Sequence, residues 1–209
     1  AVNFTEPNTD IRRENVTSRY DPSVFAEEGG PVQVGYTNWV SSWATWLEKG
    51  LQAVGMSATE GFASGNLTGY HYSQSTIRSS DQTRSTSTEY IYSARKSPAE
   101  EKLKVFTQTL AKKIVFNEDK KATGVEVSML GALPKYTIKA KKEVIVSAGS
   151  FKSPQLLMLS GIGPKATLDE FDIPVISALE GVGQNMWDHV MFGPSYHVNF
   201  PTLDKTLHD

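Results

Sequence analysis

The hydrophobic and polar positions of this chain follow different periods in different regions. Within residues 38–54 the large apolar side chains recur at the spacing of one helix face, which predicts an amphipathic helix. Its aromatic stripe contains Trp39, Trp43 and Trp46, and such a stripe packs into a core more often than it forms a ligand platform. We therefore expect core packing for this face. The preceding residues 1–37 are polar and contain several prolines and glycines, which predicts an extended loop.

Residues 56–88 are rich in Gly, Ser and Thr, and the part from Arg78 onward is too polar for a buried element. The region nevertheless contains Tyr70, Tyr72 and Ile77, which can anchor it to a neighbouring surface. We therefore predict a long ordered loop rather than a linker.

From residue 103 onward, apolar and polar residues alternate in short runs, which indicates β-strands. The predicted strands are LKVFT (103–107), KKIVFN (112–117), ATGVEVSML (122–130) and KYTIKA (135–140). The segment NEDKKATG (117–124) is rich in turn-forming residues and connects two of these strands.

The segment EVIVSAG (143–149) is a short continuous apolar run, as expected of a strand that is covered on both faces. A helix should follow, with Ser153 as its N-cap, Pro154 in its first turn and its end at residues 160–164 (SGIGP). Together these patterns predict a mixed α/β chain.

The turn between this strand and this helix consists of small residues only: Ser147, Ala148, Gly149 and Ser150. Gly149 can adopt backbone angles that other residues avoid, and it lets a ligand approach the main chain. A helix start also offers free N–H groups to an anion, so the turn suits a nucleotide. Many α/β proteins have small turns of this kind without any ligand, so the pattern alone leaves both interpretations open.

Composition excludes several classes of function. The 209 residues suffice for one large or two small domains, and 39% of them are hydrophobic, which supports a core. The net charge of −2 shows no excess of basic residues of the kind that binds a polyanion, so nucleic acid is not an expected partner. No apolar run reaches the roughly 20 residues of a membrane span, so no membrane partner is expected. The absence of cysteine excludes disulfides, thiol catalysis and cysteine zinc sites.

Three N-x-Ser/Thr sequons begin at Asn3, Asn15 and Asn66. They favour an N-glycosylated protein that is secreted or enters the secretory pathway. Chance matches in a segment rich in Ser and Thr are the alternative. The N-terminus carries no basic-then-apolar signal sequence, so we expect any such signal to have been removed or to lie outside this chain.

The segment GSFKSPQLLMLSGIG (149–163) resembles the second signature of the glucose–methanol–choline (GMC) oxidoreductases. Further segments keep the family's order. They are RSTSTEYI (84–91), VFTQTLAKKIVF (105–116), ATGVEV (122–127) and GVGQNMWDH (181–189). The resemblance implies an α/β (α+β overall) fold, with part of a Rossmann-like FAD-binding domain and part of a GMC substrate-binding domain.

The resemblance also implies the cofactor FAD and a set of residues that bind it. Ser147, Ala148, Gly149 and Ser150 should line the dinucleotide, and Ala111 should lie in the segment whose main chain pairs with the adenine ring. The family commonly has valine at that last position. Ordinary strand packing is the alternative role for Ala111.

The segment at 181–189 adds Asn185, Asp188 and His189 as candidate cofactor-binding residues. For Asn185, a structural role in the loop backbone is an equal alternative. The family's proton-abstracting histidine lies further along than this chain extends, so no catalytic residue is expected within it, and no metal site is expected either. His71, His197 and His208 match no family motif.

The family's Gly-x-Gly-x-x-Gly phosphate loop does not occur, so we expect the chain to be an internal section of a longer enzyme. Residues 1–80 are assigned to the substrate side and to flavin-covering loops with one helix. Residues 81–185 are assigned to the FAD-binding domain, and 186–209 to the start of the substrate-binding segment. The remaining segments of the same enzyme should then supply the partner strands of residues 143–149.

The implied activity is oxidation of a small-molecule alcohol to a carbonyl, with hydride transfer to flavin. GPVQVGYTNW (30–39) and GQNMWDHVMFGPSYHVNF (183–200) resemble fungal members of secondary metabolism, which are patulin synthase-like alcohol oxidases and versicolorin B synthase-like proteins. The alternatives are therefore a redox-neutral cyclase or lyase with structural FAD, and a non-catalytic secreted glycoprotein of the same fold.

Overall fold

The structure is a computed structural model that describes residues 2–11, 18–25, 27–98, 102–129, 134–200 and 202. The helices are α1 (Ser42–Ala53), α2 (Thr88–Arg95), α3 (Gly149–Leu159) and α4 (Lys165–Glu170), with 3₁₀ turns at Pro22–Val24 and Phe62–Ser64. The strands are β1 (Val2–Phe4), β2 (Val32–Val34), β3 (Thr109–Phe116), β4 (Ala122–Met129), β5 (Lys135–Lys139), β6 (Ile162–Gly163) and β7 (Ser177–Ala178).

The chain divides into two compact units, one of residues 1–104 and 195–209 and one of residues 105–194. The two units do not test the assignment of 1–80, 81–185 and 186–209 to domains, which stays a prediction. None of the helices in the described ranges has the length and apolar character that crossing a bilayer requires.

The first unit begins with two short strands rather than with the loop predicted for residues 1–37. β1 and β2 pair in parallel, with Val2 opposite Val32. The ring of Phe4 stacks on Phe25 with a centroid distance of 4.5 Å, and it contacts Tyr36, which is almost fully buried. Aromatic packing thus orders a segment whose proline and glycine content indicated a loop.

The helix predicted within 38–54 is present as α1, but its aromatic stripe is not core. Trp39, Trp43 and Trp46 are 40%, 45% and 56% exposed. Trp43 stacks on Phe200 at 6.0 Å, and the Lys49 ammonium lies 4.8 Å from the centre of the Trp46 ring. The expectation of core packing is therefore wrong for the described chain, because all three rings stay substantially exposed. Periodicity predicts which face is apolar but not what covers it.

The long loop predicted for residues 56–88 is ordered, and two of its tyrosines hold it to α1. The hydroxyl groups of Tyr70 and Tyr72 donate to the two carboxylate oxygens of Glu48 at 3.4 and 3.2 Å. The side-chain amide of Gln52 donates to the hydroxyl of Tyr70 at 2.7 Å. Glu48 and Gln52 both lie on α1, so the loop is fastened to one helix. The anchoring role predicted for Tyr70 and Tyr72 is confirmed.

The second unit contains an antiparallel three-stranded sheet of order β3-β4-β5. Val125 in the central strand lies opposite Ile114 on one side and Ile138 on the other. The turn from β3 to β4 is closed by Asn117, whose side-chain oxygen accepts from the N–H of Lys121 at 2.8 Å. Three of the four predicted strands are therefore confirmed. Residues 103–106 have no strand partner, so the strand predicted at 103–107 is wrong.

The apolar run at residues 143–149 does not form the predicted buried strand. Val144 and Val146 are half-buried, Ile145 is 76% exposed, and none of them pairs with a strand among the described residues. A strand exists only where a neighbour completes its ladder of backbone hydrogen bonds. The sequence carries the composition of a covered strand, and the described chain contains no strand that covers it.

The fastening of the loop to α1 predicts a change of stability at high pH. Burial raises the pKa of Tyr72 from its ordinary value of 10.0 to about 12, and the nearby Glu48 carboxylate contributes further. A raised pKa means that the folded state holds the proton more tightly than the unfolded state. The stabilisation is therefore complete below about pH 10 and is lost as the pH rises toward about 12.

Urea unfolding of the purified protein between pH 9 and 12 measures this change. Tyr72→Phe should show a smaller loss of stability over that interval than the unsubstituted protein. Tyr92→Phe, at a tyrosine that is 52% exposed, is the matched control and should behave as the unsubstituted protein does. Equal alkaline losses in both variants would contradict the assignment to Tyr72.

Candidate functional site

The small-residue turn leads directly into α3, which begins five residues before the predicted start. Ala148 is the N-cap and Gly149 the first helical residue. Ser153 lies inside the helix, where its hydroxyl oxygen accepts the N–H of Ala148 at 3.0 Å. Pro154 is also inside the helix, so its placement in the first turn is wrong. Ser153 does satisfy a donor at the helix start, but from within the helix and not as the N-cap.

The end of α3 is fixed by Ser160 and Gly161. The Ser160 hydroxyl donates to the carbonyl of Leu156 at 2.6 Å and accepts from the N–H of Ile114 at 2.8 Å. Gly161 has a φ of +83°, and a Cβ there would lie 2.4 Å from the carbonyl oxygen of Pro174. The chain therefore turns sharply at a position that only glycine fits. The predicted helix end in SGIGP is confirmed.

A cavity of about 480 Å³ lies between the start of β3 and the face of α3. We call it the β3–α3 cavity. Its lining residues are Leu110, Ala111, Lys112, Ala148, Lys152, Gln155, Leu156 and Leu159. Two residues that the sequence proposed as cofactor contacts, Ala111 and Ala148, therefore meet at one cavity although they are far apart in the chain.

The strand wall of the β3–α3 cavity is irregular. The pairing of β3 with β4 shifts register between Ala111 and Lys113, so Lys112 has no partner residue in β4. A bulge of this kind bends a strand and re-aims its side chains, and bulges are frequent beside functional sites. β3 is also an edge strand of the sheet within the described residues. Its outer main-chain edge is therefore open to a ligand wherever Ser160 does not cover it.

A second, more open cleft of about 600 Å³ lies on another side of α3, and we call it the α3–Trp187 cleft. Ser150 and Pro154 line it from the helix, and Gly183 and Trp187 line it from the following loop. The loop rests on the helix, because a Cβ at Gly183 would lie 3.6 Å from Pro154 and from Met158. Ser150 thus belongs to a different cavity from Ala111 and Ala148.

The turn itself faces open space. Ser147, Ala148, Gly149 and Ser150 are all exposed, and a Cβ added to Gly149 would meet no atom within 4 Å. Gly149 has a φ of +83°, which explains the glycine by backbone conformation. The other three small side chains have no such explanation, since nothing crowds them. The turn thus leaves room for a group that lies against the main chain.

The three candidates in the following loop are exposed and lie outside both sets of lining residues. Asn185 has a φ of +54°, a conformation that asparagine tolerates better than most residues, which supports a structural role. Asp188 accepts the backbone N–H of His189 at 2.7 Å. The structure gives Asp188 and His189 no contact with the other candidates, and their role in cofactor binding stays a prediction.

The β3–α3 cavity is also lined by Lys112, Lys152 and Gln155, for which the sequence predicted no role. The last two lie on one face of α3 with Leu156 and Leu159, at spacings of three, four and seven residues from Lys152. That helical spacing is the signal that could have revealed them. Lys112 had no signal, because the bulge at its position is a property of strand pairing.

No cluster of three or more potential metal ligands occurs among the described residues. His71 lies in the first unit, where its Nδ1 is 2.8 Å from the carbonyl oxygen of Tyr72 and its ring packs edge-on against Phe62. His197 is exposed, and His208 lies outside the described residues, as does the sequon at Asn15. These contacts give the described histidines no arrangement typical of catalysis.

The fold matches solved oxidoreductases. An FAD-dependent oxidoreductase from Chaetomium thermophilum superimposes with a TM-score of 0.72 at 27% identity, covering 85% of this chain and 30% of that chain. A fungal aryl-alcohol oxidase gives a TM-score of 0.76 at 27% identity, covering 87% of this chain and 29% of that one. The fold is therefore that of part of an FAD-dependent oxidoreductase.

The family model and the sequence relatives identify the family of this chain. The family model of GMC oxidoreductases matches residues 14–191, and the chain belongs to this family. Patulin synthase of Aspergillus clavatus is 40% identical over 99% of this chain and 32% of its own length. Versicolorin B synthase of Emericella nidulans is 46% identical over 99% of this chain and 32% of its own length. The chain thus spans about a third of the length of these relatives.

FAD is the cofactor that the family and its FAD-dependent structural neighbours indicate. The observed residues fit part of this cofactor. Ala111 and Ala148 leave space at an open strand edge, and Leu110, Leu156 and Leu159 provide apolar walls for a flat ring. Ser147 and Gly149 lie in the exposed turn beside this cavity. The assignment of individual residues to cofactor contacts stays a prediction.

The link between α3 and β3 predicts the effect of removing the Ser160 hydroxyl. Ser160→Ala leaves the N–H of Ile114 without an acceptor at a buried position, which costs about 1–3 kcal/mol of unfolding free energy. Ser80→Ala, at an exposed serine, is the matched control and should change stability by less than about 0.5 kcal/mol. Urea unfolding of the purified protein measures both. Equal effects would contradict the role assigned to Ser160.

Proposed function

We propose that the protein is an FAD-dependent alcohol oxidoreductase that converts a CH–OH donor to a carbonyl, and that this chain supplies part of its FAD-binding domain. When bound, FAD would supply the acceptor for the hydride of the donor, and the hydroxyl proton would go to a base outside this chain. The partners of the chain are then a small-molecule alcohol and the remaining segments of the same enzyme. The observation that carries the proposal is the meeting of Ala111 and Ala148 at one cavity.

The similarity to known proteins supports the proposed reaction type. The structural neighbours include a fungal aryl-alcohol oxidase, and patulin synthase is among the curated relatives. In this proposal the role of the chain itself is to bind and position the cofactor. The exposed turn at Ser147–Ser150 admits the cofactor to the main chain, and the bulged edge of β3 offers main-chain donors and acceptors. Similarity to patulin synthase and versicolorin B synthase supports a substrate from fungal secondary metabolism.

Mixing the purified full-length protein with candidate alcohols without oxygen tests the reaction type. We expect the absorption band of the oxidised flavin to bleach, because a hydride removed from the alcohol has no acceptor other than the flavin. Turnover without bleaching would contradict oxidation and identify a redox-neutral reaction with structural FAD. A colourless protein that releases no flavin on denaturation would contradict the whole proposal and favour a binding glycoprotein.

We also propose that the protein is N-glycosylated and passes through the secretory pathway. Asn66 supports this, because it is exposed in a loop that follows Gly65 at a φ of +84°. Its side-chain oxygen accepts the N–H of Thr68 at 3.2 Å, which holds the sequon in a turn on the surface. Asn3 is also exposed, but its side chain lies against Gly29. Asn66 is therefore the preferred acceptor.

Expression through the secretory pathway of a eukaryotic host tests the glycan. Enzymatic removal of N-glycans should increase the electrophoretic mobility of the protein, because a glycan is bulky. Asn66→Gln should abolish the part of this mobility change that is due to the glycan on Asn66. Thr68→Ser preserves the sequon and should leave the mobility change intact. No mobility change in the unsubstituted protein would contradict the proposal.

A further inference from the structure

The β3–α3 cavity has a distinctive balance of charge. Two of its lining residues, Lys112 and Lys152, carry ammonium groups, and none carries a carboxylate. The two lysines come from different elements, Lys112 from the bulge of β3 and Lys152 from the second turn of α3. A cavity with ammonium groups on two of its walls favours a ligand that carries many hydrogen-bond acceptors. Cations attract such groups more strongly where solvent is partly excluded.

The side chain of Lys152 is held in place by its own helix. Its ammonium donates a hydrogen bond to the side-chain oxygen of Gln155 at 3.0 Å. This contact occupies the acceptor of the Gln155 amide and leaves the amide nitrogen as a donor. The ammonium also keeps two of its three N–H groups. Lys152 and Gln155 together therefore present hydrogen-bond donors to the cavity from this side.

The rest of the lining restricts the shape of the ligand. Leu110, Leu156 and Leu159 are aliphatic, and Ala111 and Ala148 are small. Apolar walls with few polar groups suit a flat ring, and the polar groups then fix its orientation. The ring nitrogens of a purine are acceptors in the plane of a flat apolar ring. The adenosine half of FAD combines this ring with ribose hydroxyl groups and is joined to the diphosphate, so it matches both the walls and the donors.

We infer that Lys152, oriented by Gln155, is a cofactor-binding residue that recognises the adenosine half of FAD in the β3–α3 cavity. This inference rests on the proposed function. It goes beyond the small residues of the turn, because it assigns selectivity between a dinucleotide and a mononucleotide to a lysine and a glutamine on one helix face.

The experiment uses the full-length holoenzyme, stripped of flavin and then titrated with FAD, ADP or FMN by calorimetry. Lys152→Met should weaken the binding of FAD and ADP about tenfold, because a charge-assisted hydrogen bond is lost. FMN lacks the adenosine half, so its affinity should not change. Lys152→Arg keeps the charge and the donors and should retain most of the affinity. Gln155→Leu removes the hydrogen bond that orients the Lys152 ammonium, and it should weaken the binding of FAD by a smaller factor.

Lys121→Met is the matched control, because it removes the same charge at an exposed turn position remote from the cavity. It should leave all three affinities unchanged. Unchanged FAD affinity in Lys152→Met would overturn the inference while leaving the proposed function intact. An equal loss for FMN would also overturn it, since the effect would not be selective for adenosine. If the isolated holoenzyme contains no flavin, the proposed function and the inference both fail.

Discussion

The hydroxyl group of Ser160 joins the last turn of α3 to the edge of the sheet. It donates to the carbonyl of Leu156 and accepts the N–H of Ile114, so it satisfies one group at the helix end and one at the strand edge. Ser160 and Ile114 are both buried, which makes an unpaired donor at this position costly. The distance between helix and strand, and with it the width of the β3–α3 cavity, depends on this hydrogen bond.

Two glycines near the ends of α3 serve different purposes although both have a φ of +83°. At Gly161 the neighbouring chain leaves no room, since the carbonyl of Pro174 lies 2.4 Å from the position of a Cβ. At Gly149 the same position is open. The glycine at the end of the helix is therefore explained by packing against the chain. The turn at its start is explained by backbone conformation together with the space that it keeps for a ligand.

The sequence predicted the elements whose partners are close in the chain. β3, β4 and β5 are consecutive in the chain and pair in that order, so alternation and the turn at Asn117 were sufficient. The predictions of burial were wrong where burial depends on more distant parts of the chain. These places are the exposed face of Trp43 and Ile145. In the site, small residues revealed Ala148 and the family resemblance revealed Ala111. Lys112 was not predicted as a lining residue, because a bulge in strand pairing brings it to the cavity.

Few apolar side chains are fully buried among the described residues, so side-chain hydrogen bonds contribute to holding α3 against the sheet there. The buried hydrophobic residues of that part of the chain are Val32, Tyr36, Ile114, Val127 and Leu168. Meanwhile Trp187 and Met191 are 91% and 94% exposed, although burial of such side chains stabilises by about 1.5–3 kcal/mol each. Two of the five, Ile114 and Val127, lie in neighbouring strands of the sheet. A small core of this kind does not position a helix by packing alone, so the geometry of the cavity depends on Ser160 and on the backbone turn at Gly161.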